Sequence, residues 1–224
     1  DVTLFQGQNQ LNIKRIRKAD EGEYHPADYL PVTMKDIPAM QHELIQYITT
    51  IKNEYLRKLA SGYFNDPEFM KAFSFHSAAK SVHHGFVGGL LEHTLSVVTM
   101  FHDIGKTKEL SAFPANDYTD DGQLLGHIII GSQMVKERID AMPGFPKKLE
   151  SELIHCILAH HGELEYGSPK KPAMVEAVAL NLADNADAKM ETLTELFDAA
   201  PAGNEWLGYN RFFESNIRRT GDFS

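Results

Sequence analysis

At 224 residues with 42% hydrophobic content, the chain is long and apolar enough for one sizeable packed domain and a small appendage, which excludes wholesale disorder. A formal net charge of −9 argues against indiscriminate nucleic-acid binding, which wants a basic surface. No apolar run is long enough to span a bilayer, and the one cysteine, Cys156, excludes an intrachain disulfide framework. Residues 1–5 lack the basic-then-apolar order of a signal peptide, so a cytoplasmic protein is expected, with no membrane partner.

Residues 2–17 read as two short strands, turning at Gly7-Gln8-Asn9-Gln10, with Leu11, Ile13 and Ile16 set among polar residues. Two strands alone are marginal in water, so this segment reads as the end of a larger β domain. Lys14, Arg15, Arg17 and Lys18 cluster there, and residues 19–32, with Pro26 and Pro31, read as a linker. The expected domains are therefore 1–32 and 33–224.

From Thr33 the pattern is helical, and the fold class is all-α. Thr33 and Asp36 form a capping-box variant, followed by a stripe of Ile37, Met40, Leu44, Ile48, Ile51, Tyr55 and Leu59. Asp66-Pro67 starts a second helix, and Gly88-Gly89 precede one beginning near Leu90. Asp120-Asp121-Gly122 precede a helix carrying Leu124, Leu125, Ile128, Ile129, Val135 and Ile139. Residues 146–160 form another, with Leu149, Leu153, Cys156 and Ile157 on one face. Pro172 opens a long helix to about Ala199, apolar nearly all round and so expected to be central and buried. No strand is expected after residue 32. Beyond Ala200, Trp206, Phe212 and Phe213 are expected to pack in the core, with contact to a second subunit of a homo-oligomer as the alternative.

Histidines and aspartates carry the chemical signal: His93, His102-Asp103, His127, His160-His161 and Asp184. Nitrogen and carboxylate donors on facing helices suit a divalent metal, and imidazole tilts the choice toward manganese, iron or zinc over magnesium. Each residue also has a plainer reading taken alone. A buried Asp184 fits a salt bridge in a network to which Asp187 or Lys189 could belong, and an inward His127 or His160 fits a hydrogen-bonded core residue. His25, His42, His76 and His155 are read as ordinary. The run His102-Asp103-Ile104-Gly105-Lys106 shifts the balance. It aims a nitrogen and a carboxylate at one ion, Gly105 permits close approach of a substrate to the backbone, and Lys106 supplies charge for a phosphate.

The ordered set His…His-Asp…His…His-His…Asp resembles the HD metal-dependent phosphohydrolases. The segments 83–94, 101–106, 160–169 and 183–190 resemble, more narrowly, the YhaM-type 3′→5′ exoribonucleases. The resemblance covers most of residues 33–200. It implies an all-α HD bundle preceded by the end of an OB-fold, with the basic cluster on an RNA-binding surface. It also implies two divalent ions, manganese by preference. His93, His102, Asp103 and Asp184 would hold one, and His127, His160 and His161 the other, with Asp103 shared. Asp103 and Lys106 would be catalytic, and His83, His84, Gly88 and Gly89 would touch the terminal nucleotide of single-stranded RNA or DNA. A tight turn packed on the helix explains those last four residues equally well. The alternatives are a nucleotide or cyclic-dinucleotide phosphohydrolase and a non-catalytic nucleic-acid-binding protein.

One departure from that pattern bears on the site. His93 and His102 are nine residues apart with no helix breaker between them. On one continuous helix this gives a rise of roughly 13 Å and a rotation of about 180°, so the two could not share an ion. The resembled family carries a longer insert there. Three explanations are open: a sharp bend near Met100, a deletion that destroys the first metal site, or a segment missing between Met100 and Phe101. The third is the expectation, since 97–100 and 101–103 read as two helices with their joint removed.

Overall fold

Three helices open on side-chain caps that the sequence supplies at the right place. Asp36 accepts from the amide of Ala39, Asn53 from Tyr55 and Leu56, and Asp66 from Glu68 and Phe69. Each cap satisfies donors that the first turn leaves bare and is worth about 1 kcal/mol. The structure, a computed structural model, describes the whole chain except residues 1, 6–7, 12, 18–19, 21–22, 24–29, 81–83, 98, 202 and 221–224. It divides into two units, Asp1–Leu30 and Pro31–Ser224.

The smaller unit holds an antiparallel pair, β1 (Val2–Phe5) and β2 (Gln8–Leu11), in the register Val2 to Leu11 and Phe5 to Gln8. Gln8, Asn9 and Gln10 therefore lie in a strand and not in the turn, while Ile13 and Ile16 lie outside the strands and are exposed. Arg17 is held by the Glu23 carboxylate at 2.7 and 2.6 Å, so part of the basic cluster is neutralised locally.

The larger unit is a helical bundle. In chain order it runs α1 (Ile37–Thr50), α2 (Glu54–Phe64), α3 (Pro67–Ser74), α4 (Gly89–Val97), α5 (Lys106–Glu109), α6 (Asp120–Leu124), α7 (Gly126–Asp140), α8 (Lys147–Ala159) and α9 (Val175–Ala199). A short hairpin follows, β3 (Trp206–Asn210) and β4 (Ser215–Arg218). The expected stripe from Ile37 to Leu59 is thus two helices, because Asn53 caps a new one. The helix expected after Gly122 is likewise broken at Gly126, whose φ of +73° suits glycine. Thr33 does not cap α1. Its hydroxyl donates to Glu92 on α4 instead, at 2.5 Å.

Leu44, Leu59, Phe64, Phe73, Leu90, Leu91, Ile104, Val135 and Ile157 are buried nearly completely and join α1–α4, α7 and α8 in one core. Each such side chain stabilises the fold by about 1.5–3 kcal/mol. Two expectations fail on burial. α9 is not central: Ala177 and Leu180 are buried, but Val175, Val178 and Leu182 are exposed. Trp206 and Phe212 are 60% and 54% exposed on the hairpin, outside the core. The hairpin itself corrects the expectation of no late strand. Its alternation is too short, and its glycine and asparagine too frequent, to stand out by period alone.

Candidate metal centre

α4 ends at Val97, and residues 99–105 are bends and turns, not helix. A sharp bend therefore joins the two histidines in this structure. It brings His93 Nε2 to 3.0 Å from His102 Nε2, a contact that a straight helix forbids. The turn carrying His102 and Asp103 is then clamped onto α7. A Cβ on Gly105 would lie 2.0 Å from the carbonyl oxygen of His127 and 2.6 Å from the amide of Gly131. Gly105 thus serves close packing of the turn on α7, which corrects the expectation that it leaves room for a substrate.

At the far side, α8 ends at His160-His161, and Gly162 turns the chain away at φ +80°. The Asn181 amide donates to the His160 carbonyl at 2.8 Å and ties this end to α9. α9 presents Asp184 to the same place. All seven sequence-expected donors therefore converge.

Five imidazoles share one device. His93 Nδ1 donates to Asp187 at 2.6 Å, His102 to the Thr99 carbonyl at 2.9 Å and His127 to Glu109 at 3.0 Å. His160 Nδ1 donates to the Ile157 carbonyl and His161 to the Tyr166 carbonyl, both at 2.7 Å. Carbonyls and carboxylates only accept, so each ring is assigned a proton on Nδ1 and turns its Nε2 inward. Locking one imidazole nitrogen to orient the other is how proteins prepare metal ligands.

Around Asp103 the donors form two groups. Oδ2 lies 3.3 Å from His93 Nε2 and 3.4 Å from His102 Nε2, and Asp184 completes this group at 3.1 Å from His93. Oδ1 faces His127 Nε2 at 3.4 Å and His160 Nε2 at 3.7 Å, with His161 beside them. Ligands bonded at about 2.1 Å around one cation sit roughly 3.0–3.4 Å from each other, and the donors here lie close to that, from 3.0 Å between His93 and His102 to 3.8 Å between His102 and Asp184. The Nε2 atoms of His93 and His102 lie 3.0 Å apart and need a proton or a metal cation between them, since two bare lone pairs would repel. Asp103 Oδ1 and the Nε2 atoms of His127 and His160 are buried without any hydrogen-bond partner. Donor set, spacing and orphaned atoms therefore fit two divalent cations bridged by Asp103.

Charge follows the same geometry. Burial would raise Asp103, but Lys106 at 2.7 Å and the neighbouring histidines hold it well below its ordinary value. Burial likewise opposes ionisation of Asp184, yet His93 and His102 bring it down to about 2. Burial opposes charge on His93 too, and Asp103, Asp184 and Asp187 outweigh it, raising the ring well above its usual value. For His160 burial wins, helped by His102, and the ring is kept neutral. Lys106 keeps its charge against burial because Asp103, Asp184 and Glu109 surround it.

The residues expected to touch the terminal nucleotide lie in a packed turn beside the metal donors. His84 is buried and donates through Nε2 to Asp187 at 2.9 Å, behind His93. Gly88, at φ +90°, abuts Thr33, and a Cβ on Gly89 would lie 2.1 Å from the His84 carbonyl oxygen. These contacts are those of a tight packed turn, and His83 lies outside the described residues. Sequence reading had also missed Asp187 and Glu109 as the carboxylates that orient His93 and His127. The spacing Asp184-x-x-Asp187 on one helical face was a usable signal for the first. No comparable pattern pointed to Glu109.

With this geometry established, the comparisons are specific. The HD domain family model matches residues 57–189. The chain belongs to the HD domain family. It is 34% identical over 227 residues to the 3′-5′ exoribonuclease YhaM of Bacillus velezensis, covering 91% of this chain and 71% of that protein. The YhaM protein of Bacillus subtilis is 33% identical over 229 residues, with the same coverage. Both aligned stretches are longer than this chain's 224 residues, so those relatives carry positions that this HD domain protein lacks. No solved structure matches significantly. Among the described residues no helix is long and apolar enough to cross a membrane.

Proposed function

We propose that this protein is a metal-dependent 3′→5′ exoribonuclease that releases mononucleotides from single-stranded RNA. The observation that carries this reading is the convergence of five Nδ1-locked imidazoles and the ionised Asp184 around Asp103. Named exoribonuclease relatives at about one-third identity support the choice of RNA over a small nucleotide.

In this reading His93, His102, Asp103 and Asp184 hold one divalent ion, and His127, His160 and His161 hold the second, with Asp103 shared. Manganese is the proposed metal. Such a pair, when bound, activates water and stabilises the leaving oxygen of an in-line attack on a phosphodiester. The chain's own contribution is orientation: Asp187 and Glu109 fix the His93 and His127 rings, and backbone carbonyls fix the other three. Lys106 borders the open cleft beside His93 and Asp184 and keeps its charge, so it is given the non-bridging oxygen of the scissile phosphate. The proposed compartment is the cytoplasm, and the unit Asp1–Leu30 is proposed to belong to an OB-fold-type domain that binds nucleic acid.

The test is nucleotide release from 3′-labelled and 5′-labelled single-stranded RNA, with manganese or with chelator, for wild type and Asp103→Ala. Stepwise release from the 3′ end, lost on chelation and in the variant, is the expected result. Absence of RNA cleavage by metal-loaded wild type removes the proposal.

A further inference from the structure

The open cleft over the metal centre, about 730 Å³, has a wall that the chemistry above does not use. Its floor includes His93, Lys106 and Asp184, and its rim includes Lys189 of α9 and the tip of the C-terminal hairpin, Arg211 to Glu214. The volume lies in the range of ligand pockets. We propose that this hairpin tip is a substrate-binding element, with Phe212 stacking on a base of the bound strand and Arg211 and Lys189 facing its phosphates. The proposal rests on the exoribonuclease reading and extends it to residues outside the metal centre.

The tip is built to hold a shape. Asn210 Oδ1 accepts from the amides of Phe212 at 2.9 Å and Phe213 at 3.4 Å, and Glu214 closes the loop at φ +49°. Phe213 stands at 88° to Phe212 with centroids 5.0 Å apart, an edge-to-face pair that braces one ring and leaves the other's face free. At its base the hairpin is tied down. Ile217 is buried, Arg218 pairs with Glu205 at 3.0 Å, and the Arg219 guanidinium donates to the Phe197 carbonyl on α9. A rigid support thus carries a large apolar ring that is 54% exposed at the edge of the cleft over the metal donors.

Charge points the same way. Lys189 and Arg211 have no ion pair or side-chain hydrogen bond among the described residues, whereas Lys171 pairs with Glu163 and Lys80 with Asp117. On a chain of net charge −9, free cations beside an exposed aromatic face and a carboxylate–imidazole floor suit a ligand that is anionic and aromatic at once. Single-stranded nucleic acid has that chemistry, and stacking on an aromatic ring is tolerant of base identity.

The experiment is steady-state hydrolysis of a single-stranded oligoribonucleotide at fixed manganese by wild type, Phe212→Ala, Phe212→Trp and Arg211→Ala, with thermal melting and elution volume for each. Phe212→Ala is expected to raise KM about five-fold or more with little change in kcat, since one base stack is worth roughly 1–3 kcal/mol. Phe212→Trp restores KM, which a merely structural role for the ring would not allow. Arg211→Ala lowers the slope of log kcat/KM against log salt by about 0.7 for the lost phosphate contact. An unchanged KM in Phe212→Ala, or a fall in kcat alone, overturns the proposal and leaves the exoribonuclease reading intact. So does a shifted elution volume with KM unchanged, which puts the ring in a protein contact. Failure of wild type to release nucleotides fells the exoribonuclease reading itself, and this proposal with it.

Discussion

Replacing Asp187 by asparagine tests whether the centre is prepared by its outer partners. Asp187 Oδ2 accepts from His93 Nδ1 at 2.6 Å and from His84 Nε2 at 2.9 Å, and these contacts hold its own carboxyl far below the usual range despite burial. Hydrogen bonds to a charged group contribute about 1.5–3 kcal/mol, against roughly 1 kcal/mol for neutral pairs. The neutral amide keeps the shape but loses that difference. It also offers an N–H toward His93, which favours the tautomer with the proton on Nε2, where the metal must bind. A loss of about 10- to 100-fold in metal affinity is the usual consequence of removing such a partner. The assay is calorimetric titration of manganese into metal-free protein, in parallel with the metal dependence of RNA hydrolysis. One of two binding steps should weaken, because Asp187 touches only the group containing His93. If both steps keep their wild-type affinity, the orienting role assigned to Asp187 is wrong.

Three further outcomes follow from other contacts. Glu109→Gln loosens His127, whose Nδ1 and backbone amide both donate to Glu109 Oε1, at 3.0 and 2.9 Å. The other of the two binding steps should weaken by about ten-fold, and weakening of the same step as in Asp187→Asn would refute the two-group arrangement. Gly105→Ala places a Cβ 2.0 Å from a backbone oxygen of α7, which should cost about 3 kcal/mol and lower the melting temperature by roughly 6–12 °C. A wild-type melt would show that the turn is not clamped there. Burial pushes the Tyr63 hydroxyl, which donates to the Met134 carbonyl at 2.6 Å, up to about 12. The unfolded value is about 10, so this stabilisation is complete below about pH 10 and is lost as pH rises toward 12, up to about 2–3 kcal/mol. Tyr63→Phe should therefore show a smaller fall in urea midpoint from about pH 9 to about pH 11 than wild type, and an equal fall would count against the assignment.

The helical class and the seven donors were legible because they rest on local signals. Asp66-Pro67 starts α3, Pro146 precedes α8, and His102-Asp103 stands at the end of an apolar run. What misled was the assumption of continuity. Thr94 to Phe101 contains neither glycine nor proline, so nothing local announces that α4 stops at Val97. The bend is fixed by tertiary contacts, namely His102 on the Thr99 carbonyl and Gly105 wedged against α7. The burial of α9 was misjudged for a related reason. Apolar residues all round a helix argue for burial on every side only if other elements exist to cover them, and here Val175, Val178 and Leu182 meet solvent.

Orientation of the ligands lay deeper still. Three of the five histidines are locked by the carbonyls of Thr99, Ile157 and Tyr166, and a backbone oxygen is the same whatever residue bears it. Only the two carboxylate partners, Asp187 and Glu109, leave a side chain to find, and they serve one ring in each metal group. The identity of the candidate donors is thus written in residue types, while their tautomers and aim are written in the fold. Substitutions at the carbonyl-bearing positions should leave those rings oriented so long as the backbone stays put, whereas Asp187 and Glu109 are the positions where a single side chain orients one ring of each donor group.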